Sequence, residues 1–148
     1  MSLSKIVFRA KDVVPFSPPG AETAFESRLL VDPTGVGSTG LAVNHFTLKP
    51  GQHTDPGAHP PPYDEVYFVL HGHGRVSLGS PPEDFEISPE MVVFIPGGTR
   101  HALLNTGAED LVLITMMPHE MKPGVNTLYD ERLRVWGTGF RLVEPRTP

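Results

Sequence analysis

Short apolar runs recur along this chain, and nearly all of them end on glycine or proline. Residues 41–48 (LAVNHFTL) alternate and close on Pro50-Gly51. Residues 65–70 (EVYFVL) run into His71-Gly72-His73-Gly74, and residues 75–78 resume the pattern. After Pro81-Pro82, residues 84–87 alternate briefly; residues 91–95 are continuously apolar. Residues 102–105 and 111–116 are the last strong runs, separated by Thr106-Gly107-Ala108. Runs this short, bounded by turn formers, are strand signals.

The flanks are weaker. Residues 5–9 are a strand candidate, followed by a proline-rich breaker at 15–20. Residues 24–31 suit a strand or a short helix, and 32–40 form a glycine-rich turn. The segment 52–63 contains Pro56, Pro60, Pro61 and Pro62, which excludes a helix. Beyond Pro118, residues 126–136 suit one short helix and 137–143 a final strand. The pattern predicts one all-β domain over residues 1–148, a barrel or jelly roll. Its parts are N-terminal strands within 5–31, a core at 41–117 and a tail at 118–148.

Composition sharpens this picture. The 148 residues include 17 Pro and 15 Gly, which here punctuate apolar runs and so signal tight turns. No run approaches the roughly 20 apolar residues of a spanning helix, so no membrane role is expected. A net charge of −5 without a basic run disfavours nucleic acid. The absence of cysteine excludes disulfides and thiolate metal sites. With no signal-like apolar stretch in residues 1–10, a cytoplasmic location is expected.

The candidate chemistry lies in two segments. Pro96-Gly97-Gly98-Thr99-Arg100-His101 ends one strand in a turn and opens the next with an imidazole. The loop before residue 65 carries His53 and His59, and Glu65 opens a strand. His53, His59, Glu65 and His101 are nitrogen and oxygen donors of the kind that hold zinc, iron, manganese or nickel. His45 shares parity with Val43 and Thr47 and is either a pocket base or a core histidine. His71 and His73 belong at the rim, and His119 at the periphery.

These two segments resemble the motifs of the cupin superfamily. Pro96, Gly98, His101 and Asn105 fit the spacing P-x-G-x2-H-x3-N, with Glu90 where that motif begins on glycine. Gly51, Glu65 and Gly72 fit the other motif, G-x5-H-x-H-x3,4-E-x6-G, but one histidine of its pair is missing. Counted forward from Gly51, His59 is the second histidine and Gly57 replaces the first. Counted back from Glu65, His59 is the first and Pro61 replaces the second. His53 is then a candidate replacement.

The resemblance covers about residues 41–116. It implies a cupin jelly-roll barrel, one divalent metal ion and a homodimer. The small-molecule pocket is expected to be walled by His45, Tyr67, Phe94, Leu103 and Met117. Small cupins include polyketide cyclases that fold poly-β-keto chains into aromatic rings. A zinc-dependent cyclase or isomerase of an apolar or aromatic substrate is therefore the leading expectation. An iron dioxygenase of an enol or catechol and a non-catalytic binding cupin are the alternatives.

Overall fold

Alternation becomes pairing in the computed structural model, which describes residues 7–33, 35–119 and 124–137. Eight strands form: β1 (Phe25–Val31), β2 (Leu41–Leu48), β3 (Glu65–His71), β4 (Gly74–Leu78), β5 (Glu83–Ile87), β6 (Val92–Ile95), β7 (His101–Asn105) and β8 (Leu111–Pro118). One helix, α1 (Thr127–Trp136), follows. Residues 25–31 are a strand, which resolves the strand-or-helix alternative. A 3-10 turn at Ala10–Asp12 stands near the expected first strand, of which residues 5 and 6 lie outside the described residues. The expected final strand, 137–143, lies outside them beyond Gly137.

The strands make two antiparallel sheets, ordered β1-β2-β8-β3-β6 and β5-β4-β7. This is the expected jelly roll, two facing sheets that do not close into one barrel because none of their strands pair across. The inner faces follow strand parity: Phe46 and Leu48 from β2, Tyr67 and Val69 from β3, Leu111 and Leu113 from β8 meet Val76 and Leu103 of the smaller sheet. Burying each such side chain contributes about 1.5–3 kcal/mol. The outer face of β3 is less covered, with Val66 and Phe68 half-buried and Leu70 exposed.

Helix α1 starts on Asn126, whose side chain accepts from the Tyr129 N–H at 3.1 Å. Its inward side carries Tyr129 and Arg132. Arg132 is ion-paired with Asp32 at the end of β1, and both are almost fully buried. Trp136 meets the Phe16 ring edge-on at 5.1 Å. The helix is thereby fixed beside β1 with its N-terminus near the open end of the sheets.

Glu90 has φ 72° where the family motif carries glycine. An L-residue in that region costs about 1–2 kcal/mol. The Glu90 N–H donates to the Val69 carbonyl at 2.9 Å, so the turn itself is held. Glu90→Gly should therefore raise stability by about 1 kcal/mol, read as a higher urea midpoint with an unchanged m-value.

Candidate metal centre

Three side chains from three chain segments converge at one end of the cavity between the sheets. Glu65 opens β3, His101 opens β7, and His59 comes from the proline-rich loop. One donor atom from each lies within 4.8 Å of the others. The Glu65 Oε2 stands 3.0 Å from His59 Nε2 and 3.2 Å from His101 Nε2. The His59 Nδ1 is 2.8 Å from the Val125 carbonyl and the His101 Nδ1 is 2.9 Å from the Thr99 carbonyl. A carbonyl can only accept, so each Nδ1 carries the proton and each neutral ring turns a bare Nε2 toward the carboxylate. Two lone pairs and an anionic oxygen then face one another. Such an all-acceptor group needs a cation, and a metal ion or a bound proton provides one.

The titration behaviour is that of the group with a proton bound in place of an ion, so that the ring Nε2 donates to Glu65. The hydrogen bond to Glu65 raises the His59 pKa, against its own burial. Burial pushes Glu65 up, but hydrogen bonds from His101 and His59 outweigh it and hold the carboxyl below its usual value. Burial, and then the charge of Glu65, push the Tyr67 phenol well above 10, so it stays protonated.

The turn that delivers His101 also holds the loop that delivers His59. Gly98 N–H donates to the His59 carbonyl at 2.7 Å, and Gly97 N–H donates to Asp64 Oδ1 at 2.8 Å. A Cβ on Gly97 would lie 2.9 Å from the Tyr63 nitrogen, so the loop backbone requires glycine there. Asn105 is 1 % exposed; its amide donates to the Leu48 and Glu109 carbonyls at 2.9 and 2.8 Å and fixes the turn after β7.

The missing histidine is located by pairing. Gly57 and His101 exchange N–H···O bonds of 3.1 and 2.8 Å as a directly opposed antiparallel pair. Side chains of such a pair share a face. A side chain at position 57 would therefore share the face of His101, and Gly57, which the count from Gly51 puts in the place of the first motif histidine, has none.

His53 does not join the group, contrary to expectation. It is opposed to Leu104, one residue out of register with the Gly57–His101 pair. The slip turns His53 to the face opposite His101 and Leu103. It is exposed, its ring 3.4 Å from the Thr54 carbonyl.

A cavity of about 240 Å³ adjoins the cluster. Tyr67, Leu103 and Met117 line it, as expected, together with Leu29, Ala42 and Phe46. Two expected wall residues do not. Phe94 is 58 % exposed, because Val93 and Ile95 take the inward positions of β6, and it borders a separate surface cleft with Phe85 and Met91. His45 faces away, because Ala42, Asn44 and Phe46 are the inward parity of β2. Sequence reasoning missed Asn44 and Thr115 on the floor and Asn126, Thr127 and Leu128 at the wall. Apolar residues on both parities of β2 and β8 hid the first two.

His71 is exposed beside Glu109 at 3.0 Å, and His73 is exposed. His119, expected at the periphery, is 5 % exposed and packs edge-on to Tyr129 at 4.7 Å. Burial lowers its pKa, opposed by Asp32 and Asp130 and assisted by Arg132. A histidine that binds its proton more weakly when folded stabilises the fold above pH 6.5 and loses that contribution as pH falls below it. His119→Phe, which keeps a ring against Tyr129, should therefore flatten the decline in Tm between about pH 7 and 5. A slope identical to wild type would refute this role.

The Cupin domain family matches residues 44–117, which contain both motifs and all three converging residues. The chain belongs to the cupin family. Among solved structures, this cupin is similar to the polyketide cyclase RemF from Streptomyces resistomycificus, at 24% identity and TM-score 0.68 over 82% of this chain and 84% of that one. It is also similar to a predicted oxalate decarboxylase from Thermotoga maritima, at 21% identity and TM-score 0.66 over 77% and 99%. KdgF from Halomonas sp. aligns at 18% identity and TM-score 0.62 over 76% and 94%. These likenesses show the fold. No curated protein sequence matches the cupin. Among its described residues, no helix is long and apolar enough to cross a membrane.

Proposed function

We propose that this cupin is a metal-dependent enzyme acting on a small, largely apolar, aromatic or polyketide-like substrate by cyclase or isomerase chemistry. The observation that carries the reading is the all-acceptor group of His59, Glu65 and His101 at the wall of an apolar cavity. Those three residues would hold one divalent ion. Two imidazoles and a carboxylate without thiolate fit zinc in a catalytic site, with iron, manganese and nickel as the other fitting ions. When bound, such an ion supplies Lewis-acid polarisation of a carbonyl oxygen.

The chain's own residues do the rest. The Val125 and Thr99 carbonyls hold the two rings in one tautomer and orientation. Gly57 leaves the side of the group beside His101 without a protein donor, which gives a substrate oxygen access. Leu29, Phe46, Leu103 and Met117 keep the cavity apolar and exclude water from an enolised substrate. The Tyr67 phenol, its ring 6.1 Å from that of His101, remains a proton donor at neutral pH. Similarity to a polyketide cyclase supports the substrate class.

An iron-dependent dioxygenase is the second reading. It is favoured by the donor count, since two histidines and one carboxylate with open positions is also the set used by non-haem iron oxygenases.

Incubation of the metal-loaded protein with an aryl 1,3,5-triketone separates the readings. The proposal expects ring closure with loss of water and no oxygen uptake. Stoichiometric oxygen uptake by the iron-loaded protein would establish the second reading. Metal-loaded protein that binds the triketone and leaves it unchanged would overturn both in favour of a binding protein.

A further inference from the structure

Between β2 and β8 the inner face of the larger sheet is apolar pair by pair, with one interruption. Across β2 and β8, Phe46 opposes Leu113 and Leu48 opposes Leu111, while Ala42 opposes Met117 on the other side. Between these rows, Asn44 opposes Thr115, and Thr115 in turn opposes Tyr67 on β3. All three line the cavity. An amide, a hydroxyl and a phenol thus stand on adjacent strands, with successive groups about 4.8 Å apart.

Folding does not account for these groups. Among the described residues, neither the Thr115 hydroxyl nor the Tyr67 phenol has a hydrogen-bond partner. The Ser27 hydroxyl donates to Asn44 Oδ1, which fixes the amide and leaves its N–H2 for the cavity. Valine or leucine would pack there as in the neighbouring rows, whereas these three polar groups open onto the cavity and are free to meet a ligand's oxygens. All three groups can donate. Two residues further along β3 lies Glu65, so the row stands about 6.8 Å from the His59–Glu65–His101 group.

We propose that Asn44, Thr115 and Tyr67 form a donor row that binds a planar organic ligand through two oxygens in a 1,3 relation. The spacing of adjacent strands matches oxygens placed meta on a ring or on alternate carbonyls of a β-keto chain. The row then sets which oxygen of the ligand is left to face the histidines. This deepens the substrate class and rests on the reading of the cavity as a substrate pocket.

Calorimetric titration of the protein as purified tests it, with 1,3-dihydroxynaphthalene as probe and naphthalene as its oxygen-free counterpart. Wild type should bind the diol at least about tenfold more tightly than naphthalene. Thr115→Val and Tyr67→Phe remove only a hydroxyl from nearly isosteric side chains. Each should weaken the diol by about 5–10-fold and leave naphthalene binding and metal content unchanged. Equal diol affinity in all three proteins, or parallel losses for both probes, would overturn the proposal. The pattern seen in protein that retains none of zinc, iron, manganese and nickel after each is supplied would uphold the row and refute the metal-dependent enzyme.

Discussion

His101→Ala should abolish stoichiometric metal binding while leaving the fold intact. The ring contributes one of three donors that meet within 4.8 Å, and nothing else among the described residues stands ready to replace it. Gly57, the residue opposed to it, has no side chain. Removing even an outer hydrogen-bond partner of a ligand costs about 10–100-fold in affinity, so loss of a ligand should weaken binding by at least about 100-fold. The strand does not depend on the ring. His101 sits at the start of β7, whose pairing with β4 is carried by backbone bonds. His53→Ala is the matched control. Its side chain points to the Leu104 face, and metal affinity should be unchanged. Elemental analysis after dialysis, with circular dichroism for the fold, checks both variants.

Arg132→Ala should cost about 3–5 kcal/mol, the largest single stability loss expected here. Asp32 has no exposed surface and Arg132 is 3 % exposed, so truncating the arginine takes a buried cation away from beside a buried carboxylate. For a domain of this size that is a fall in Tm of about 10 °C. The effect extends to the metal group. Arg132 anchors α1, and Val125, just before the helix, presents the carbonyl that holds His59. Metal affinity should weaken along with stability. The double variant Asp32→Asn, Arg132→Met should recover much of the stability, because the asparagine retains the acceptor for the Gly35 N–H at 2.7 Å and both charges of the pair are removed together. Urea titrations of the single and double variants, with equal m-values, measure the difference. A loss below about 1 kcal/mol in the single variant would contradict a structural role for the pair.

Much of this architecture was legible in the sequence, for physical reasons that can be named. Turn residues bound every strand from β2 to β8, and residues 126–136 suited the one helix that forms, Thr127–Trp136. The Pro96–Asn105 stretch announced His101 because a turn between two strands can place a ring only at the strand's start.

What was not legible had equally specific causes. In LAVNHFTL, apolar residues occupy both parities, so the inward face of β2 could not be chosen, and His45 was taken where Asn44 stands. Residues 92–95 are all apolar, which hid the outward position of Phe94. The role of His53 turned on a one-residue slip between two isolated bridges, a property of the folded loop and not of spacing. The Val125 carbonyl on His59 joins residues 66 positions apart and leaves no trace in side-chain pattern.

The proposed enzyme depends on the His59–Glu65–His101 group holding a divalent cation. Elemental analysis of the protein purified without chelator, then supplied separately with zinc, iron, manganese and nickel, tests it most directly. About one ion per chain is expected, lost in His101→Ala and retained in His53→Ala. Protein that retains none of the four ions after dialysis, or a His101→Ala variant that keeps its full complement, would contradict it.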